Sequence, residues 1–543
     1  MTASIDRAAQ LARLREERTW DLIVIGGGAT GLGVALDAAA RGFAVALIEA
    51  EDFAKGTSSR ATKLVHGGVR YLAQGNVSLV REALHERATL LANAPHLAQP
   101  LAFVLPAYRW WEPAFYGIGL KLYDALAGRR GLGATQLLSK AKALARLPTL
   151  RQPRLAGGVR YWDGQFDDAR LAVTIARTAV AQGAVVLNHC PATGLLREDG
   201  KIRGVMARDA ETGETFTLRS HAVVNAAGVW VDAVRDMDRE PGAAARPPMV
   251  APSQGVHVVV DRAFLPGSDA LIVPKTADGR VLFAVPWLGK TLLGTTDAPR
   301  SDLPREPLAT EEEIGFILAE AGRYFARAPR REDVLSVWAG LRPLVKPSDE
   351  DGGTTQKISR EHTVLVGRSG LVTVTGGKWT TYRAMAEDVM GRCFEAGLLP
   401  RRGGADATSA LRLAGAPERA AGTLDLPPGE HLYGTDAATL RALPGAGRWL
   451  WRDESGGRTG GLSEAMLRFA VRHEMARTIE DLLARRSRLL FLDAARAGAL
   501  ARPVAALLAE ELGRPVPEAE IQAFEALARR YRGLPPSNEL KAA

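Results

Sequence analysis

The chain has 543 residues, of which 46% are hydrophobic and 24% charged, with a formal net charge of +9. That length exceeds one compact core and predicts two or three domains, and the composition excludes a disordered or fibrous chain. Two distant cysteines, Cys190 and Cys393, exclude a disulfide framework and a zinc or iron–sulfur site, and the basic balance calls for anionic partners without choosing among phosphorylated substrate, nucleic acid and anionic lipid.

In chain order, residues 1–18 read as a short charged helix or a loose arm. Met1 to Trp20 has no apolar centre, so no secretory signal is expected, and the absence of a long apolar run predicts no membrane span. Leu22-Ile23-Val24-Ile25 reads as a buried parallel strand and Leu32 to Arg41 as an Ala-rich helix that Gly42 stops. Ala44 to Ile48 returns as a second strand, giving one βαβ unit. A helix is predicted over 78–93. Residues 107–146 combine aromatic groups (Tyr108, Trp110, Trp111, Phe115, Tyr116, Tyr123) with Arg109, Lys121, Arg129, Arg130, Lys140, Lys142 and Arg146, the composition of an interfacial anchor. Strands and helices alternate over about 155–232. Val256–Val260, Leu271–Val273 and Val281–Val285 read as antiparallel hairpin strands over about 251–300. A strand at 363–367 and a helix from about 378 complete the body. Residues 396–425 read as a linker, and helical patterns follow, clearest at 463–492.

Gly26-Gly27-Gly28-Ala29-Thr30-Gly31 follows the first strand and opens the helix. Gly26 permits the turn, Gly28 lets a pyrophosphate approach the backbone, and Gly31 lets helix and strand pack closely, with the phosphate at the helix N-terminus. Glu49 ends the second strand, where a carboxylate meets an adenosine ribose and disfavours NADP. The motif alone does not separate FAD from NAD. Donors at Thr57, Ser58 and Ser59, small residues at Ala192, Ala227 and Gly228, and a helix start after Thr375-Gly376-Gly377-Lys378 favour FAD, the last by aiming amides at the flavin N1–C2=O edge.

Together with Lys63-Leu64-Val65-His66-Gly67-Gly68-Val69-Arg70-Tyr71-Leu72, Phe166-Asp167-Asp168-Ala169-Arg170-Leu171, Gly294-Thr295-Thr296-Asp297, Gly340-Leu341-Arg342-Pro343-Leu344 and Gly376 to Arg383, these segments resemble the FAD-dependent, quinone-linked glycerol-3-phosphate dehydrogenases of the D-amino-acid-oxidase-like superfamily. The sequence departs from that family's pattern at Arg60, where a small residue is common, and at Trp379, where Leu is common. The resemblance implies an α/β FAD-binding Rossmann-type domain interleaved with a mainly antiparallel β substrate domain, plus an all-α C-terminal domain. The body would span 19–395, with FAD-binding parts at about 19–95, 155–250 and 335–395 and substrate- or membrane-facing parts at about 96–154 and 251–334. A cap would occupy 426–543.

The resemblance also implies oxidation of glycerol 3-phosphate with electrons passed to a membrane quinone, at the inner face of the cytoplasmic membrane. Arg70, Tyr71, Arg360 and Lys378 are expected to hold the phosphate, Arg342 to polarise the reacting hydroxyl, and His257 to accept its proton, with an imidazole pKa near neutrality. His66 is the rival base, although its glycine neighbours suggest a place beside the flavin. Lys63, Gly67, Gly377 and Thr380 join the expected cofactor contacts. The competing readings are an oxidase that reduces O2 to peroxide, a NAD-dependent dehydrogenase, and a nucleic-acid-binding flavoprotein supported by charge alone. Nucleic acid is not expected as a partner. The C-terminal helices could cap the substrate domain, form a homodimer contact or bind a regulator.

Overall fold

The computed structural model describes residues 4–533, except 70, 71, 73–75, 241, 243, 245, 347–361, 405 and 454–459. Two sheets organise the body. The first has a parallel core in the order Val185–Leu187, Val45–Ile48, Thr19–Ile25, Thr215–Asn225 and Leu371–Gly376, with His362–Val366 antiparallel at its edge. Leu22, Ile23, Val24, Val45 and Leu47 are fully buried, which is why these strands are apolar throughout instead of alternating. The helix Ala29–Ala40 crosses between the first two strands, and Gly42, at φ +80°, ends it. Gly26 is at φ +113°, and a β-carbon on Gly31 would stand 1.9 Å from the Gly26 carbonyl oxygen, so the helix can start only where both residues lack side chains.

The second sheet has ten strands, antiparallel except where Ala270–Val273 runs parallel to Ala98–Ala107. At one end of it Val334–Val345 pairs with Val250–Asp261, which is followed in turn by Lys290–Gly294 and Leu282–Trp287. The predicted hairpins are present. Two expected boundaries shift, however. Gly157–Phe166 and Val334–Val345, assigned from sequence to the nucleotide-binding parts, both pair within the second sheet.

The N-terminus is no loose arm. The helix Arg7–Leu14 buries Leu11 and Leu14, and Arg7 binds the Asn188 carbonyl at 2.7 Å and Asp209 at 2.5 Å. Nor is 396–425 a free linker. Leu399, Leu413 and Leu424 are buried, the Leu413 amide donates to the Asn93 carbonyl (3.0 Å), and the Ala414 amide donates to the Thr178 hydroxyl (2.9 Å).

The C-terminal region is helical (Glu464–Glu474, Leu489–Leu492, Ala494–Ala499, Ala501–Leu512, Glu518–Tyr531), with one added ribbon, Trp449–Asp453 on Gly460–Ser463. The helical patterns expected over 463–492 are present in pieces: the helix breaks at Met475 (φ +53°), resumes in a wide turn over Asp481–Arg486, and breaks again at Arg488 (φ +66°). The reason is electrostatic. Arg485 and Arg486 turn inward onto Asp52, and Arg488 reaches Asp168 at 3.1 Å and the Ser59 carbonyl at 2.8 Å. Lys63 binds the same Asp168 (2.7 Å) and the same Ser59 carbonyl (2.8 Å), and Lys63, Asp168 and Arg488 are all fully buried. Trp287 and Phe491 line both cations.

Removing one member of such a cluster strands the others without water. Arg488→Met is expected to cost about 3–5 kcal/mol, read as a clear fall in the melting temperature of the full chain. A melting temperature unchanged within error would show that the cluster does not hold the two regions together.

Candidate active site

The expected cofactor residues gather around the first βαβ turn. A Glu49 carboxylate oxygen accepts the Gly27 amide at 2.6 Å and its partner oxygen accepts the Glu51 amide at 2.8 Å. Burial raises the Glu49 pKa, against the pull of those two amides. The Cys190 amide donates to the Glu49 carbonyl (2.7 Å), which sets the segment leading to Ala192 beside it. At the helix start Gly28 has no side-chain cap, and the Ala29 amide donates to the Ser58 hydroxyl at 2.9 Å. The Ala227 amide donates to Asn225 Oδ1 (3.3 Å), and a side chain at Gly228 would meet open space. A glycine turn, a carboxylate at the next strand end and open backbone at Gly228 fit an adenine dinucleotide.

From that turn the segment 57–66 crosses to the second sheet. The Thr57 hydroxyl donates to the Leu341 carbonyl at 2.6 Å, next to Arg342. Arg60, the first departure noted in the sequence, binds both Glu306 carboxylate oxygens at 2.8 Å and the Ala339 carbonyl at 2.9 Å. Trp379, the second, donates from its indole to the Ser58 carbonyl at 2.8 Å. Both larger side chains therefore brace the segment. Thr380 is buried and accepts the His66 amide (3.3 Å), which ties the helix entry after Lys378 to the same segment, and Gly377 turns there at φ +76°.

Two of the expected cofactor residues also serve the packing of the fold. The Lys63 ammonium lies inside the ionic cluster, where burial pushes its pKa down to about 7. Gly67 is a glycine because a β-carbon would lie 2.3 Å from the Tyr123 hydroxyl, itself bound to Asp163 at 2.9 Å.

Alternation along Val250–Asp261 puts Ser253, Gly255 and His257 on one face, opposite Arg342, Gly340 and Trp338 of the neighbouring strand. The Arg342 guanidinium folds across Gly255 and is oriented by Asp297 (3.1 Å), the Thr295 hydroxyl (3.2 Å) and the Thr296 carbonyl (3.1 Å). Asp297 also accepts the Ser253 hydroxyl. His257 is 2% exposed, stacks on Trp338 and meets the Thr62 hydroxyl through Nε2 at 2.9 Å. Its pKa is not near neutrality as expected: burial, then Lys63 and Arg342, hold it well below the usual imidazole value. At neutral pH the ring is therefore uncharged and able to accept a proton.

Lys378 is half-buried at the end of Leu371–Gly376, a strand that packs against the one carrying Arg342. Arg70, Tyr71 and Arg360 lie outside the described residues. Sequence reading missed Thr62, Asp297 and Arg488. Asp297 stood in a quoted motif without a role, whereas Thr62 and Arg488 carried no local signal.

A depressed histidine pKa has a sign that can be tested. Between the folded pKa and about 6.5 the unfolded chain binds the proton and the folded chain does not, so stability is lost as pH falls below about 6.5. His96 (about 3) and His431 (about 4) add to this effect, while His189, raised by Asp481 against its burial, opposes it. His257 should contribute up to about 1.4 kcal/mol per pH unit, so His257→Asn should flatten the fall in melting temperature from pH 7 to 5. Identical slopes in the two proteins would contradict the buried neutral ring.

The sequence matches the family described as FAD dependent oxidoreductase over residues 21–383 and the C-terminal domain of alpha-glycerophosphate oxidase over 403–516. It is 47% identical over 399 residues to the mitochondrial glycerol-3-phosphate dehydrogenase of Homo sapiens, covering 71% of this chain and 54% of that one. It is 40% identical over 529 residues to a probable mitochondrial glycerol-3-phosphate dehydrogenase of Caenorhabditis elegans, covering 93% and 72%. The chain thus spans about half the length of the mammalian relatives it matches. The fold is similar to glycerol-3-phosphate dehydrogenase from Bacillus halodurans complexed with FAD, with a TM-score of 0.74, 30% identity and 98% of each chain covered. L-alpha-glycerophosphate oxidase from Mycoplasma pneumoniae, at 18% identity and a TM-score of 0.54 over 69% of this chain and 94% of that one, shares the fold.

Proposed function

Because the chain belongs to the FAD dependent oxidoreductase family, we propose that it oxidises glycerol 3-phosphate to dihydroxyacetone phosphate. The observation that carries this reading is the shared face on which Arg342, fixed by Asp297, stands beside an uncharged His257, reached by the same segment that touches the dinucleotide turn. Gly26, Gly28, Gly31, Glu49, Ser58 and Gly228 would hold the cofactor. When bound, FAD supplies the acceptor for the hydride from C2.

Arg342 and Lys378 bring positive charge to a small phosphorylated alcohol, and Arg70, Tyr71 and Arg360 are proposed to complete the phosphate contacts. Arg342 would polarise the C2 hydroxyl and His257 would accept its proton. Lys63 and Arg342 oppose a charge on the ring. A dianionic substrate offsets those cations and raises the histidine pKa when it is most needed.

We further propose a membrane quinone as acceptor and attachment to the inner face of the cytoplasmic membrane. The helix Glu112–Ala127 supports this. Trp111, Phe115, Ile118 and Leu122 follow one another along one face, with Phe115 64% and Ile118 73% exposed and Trp110 87% exposed just before it. Arg109, Lys121, Arg129 and Arg130 surround them at the surface. Tyr123, counted in the sequence with this aromatic set, instead points into the core. Among the described residues no helix is long and apolar enough to cross a membrane. Oxygen remains the second acceptor, in keeping with the oxidase domain matched at 403–516.

Anaerobic glycerol 3-phosphate should bleach the flavin band of the purified holoenzyme, and an unchanged spectrum would remove the proposed activity. Lys378→Ala should raise KM by about 10- to 100-fold, the loss of a charge-assisted contact worth roughly 1.5–3 kcal/mol. An unaltered KM would take Lys378 out of the phosphate site. The triple change Trp110→Ser, Phe115→Ser and Ile118→Ser should abolish co-sedimentation with anionic vesicles and lower quinone reduction but not flavin bleaching. Retained sedimentation would rule out this helix as the anchor.

A further inference from the structure

We infer that the Thr62 hydroxyl relays the proton from the reacting substrate hydroxyl to His257, an inference that rests on the activity proposed above. The imidazole cannot move to meet a substrate. Trp338 stacks on it with ring centroids 5.4 Å apart and planes at 19°. On another side Gly294 of the facing strand is so close that a β-carbon there would stand 2.3 Å from His257 Cδ2. The ring is 2% exposed, and its Nδ1 is buried with no hydrogen-bond partner among the described residues. Its remaining nitrogen, Nε2, faces the Thr62 hydroxyl at 2.9 Å.

Thr62, unlike the ring, is half-buried and so reachable from outside. Its position is fixed from both sides, because Ala61 and Lys63 are each bound to Asp168 (3.0 and 2.7 Å). A hydroxyl is the one group at this place that can accept a proton and donate one in the same event. In the oxidation the substrate O–H proton passes to Thr62 Oγ1 while the threonine proton passes to His257 Nε2. The hydrogen on C2 leaves as hydride with its electron pair to the flavin, and the alcohol C–O becomes C=O. One proton then rests on the imidazole and the threonine hydroxyl is restored. Among the described residues the charged groups facing the ring are Lys63 and Arg342, both cationic. The proton therefore has little reason to enter before the dianionic substrate is in place.

The test is anaerobic single-turnover reduction of the holoenzyme, with wild type, Thr62→Val and Thr62→Ser compared. Thr62→Val, nearly isosteric, should slow flavin reduction by roughly 10²-fold and leave the glycerol 3-phosphate dissociation constant within about threefold. Thr62→Ser should recover most of the rate. In mixtures of light and heavy water the wild-type rate should bow with isotope fraction, as two protons in flight require. A Thr62→Val rate within about twofold of wild type, a Thr62→Ser protein as slow as the valine variant, or a straight-line isotope dependence in the wild type would each overturn the relay. If glycerol 3-phosphate fails to bleach even the wild-type flavin, the activity itself falls and the relay with it, an outcome distinct from a bleaching wild type with an unaffected valine variant.

Discussion

Two carboxylates and two cations buried together at Asp167, Asp168, Lys63 and Arg488 constrain everything else in this molecule. Charges in such a place are tolerated only when geometry satisfies them all. Asp168 takes the Ala61 amide, the Lys63 ammonium and the Arg488 guanidinium, and the Ser59 carbonyl takes both cations. Residues 59 to 63 are thereby fixed between the two sheets and the C-terminal helices. Just before it Ser58 meets the dinucleotide turn, and within it Thr62 meets His257. The C-terminal region is thus part of the scaffold of the site.

The second sheet solves a different problem, how to keep an imidazole uncharged at neutral pH beside a guanidinium. Strand alternation puts Arg342 and His257 on one face, and the tight fit at Gly255 and Gly294 lets the guanidinium and the imidazole lie flat against it. Burial first, then the cations Lys63 and Arg342, keep the ring neutral, and under the proposed function a bound dianion would offset those cations.

Much of this was legible in the residues. Close helix packing demands glycine at Gly26 and Gly31, and a strand buried on both faces demands the run Leu22 to Ile25, so the first βαβ unit follows from local chemistry. Local chemistry fails where the decisive contact is distant. Thr62 and His257 are separated by 195 positions and neither carries a mark of the other. Apolar periodicity over 463–492 marked helical patterns but not where they break, because it counts hydrophobic positions and ignores where the arginines must go. Asp52 and Asp168, hundreds of residues earlier, pull Arg485, Arg486 and Arg488 inward and break the helix. Gly67 carries a second constraint invisible in the sequence: a β-carbon there would collide with the Tyr123 hydroxyl.

The seam between the body and the C-terminal helices also bears on how such a chain can be inherited. Each side contributes ions that the other side helps to neutralise: Asp52, Asp168 and Arg170 from the body, Arg485, Arg488 and Glu474 from the helices. Severed at the seam, either half would be left with naked charges in its interior. Moving either piece onto a foreign neighbour would therefore require these charged residues to change as well.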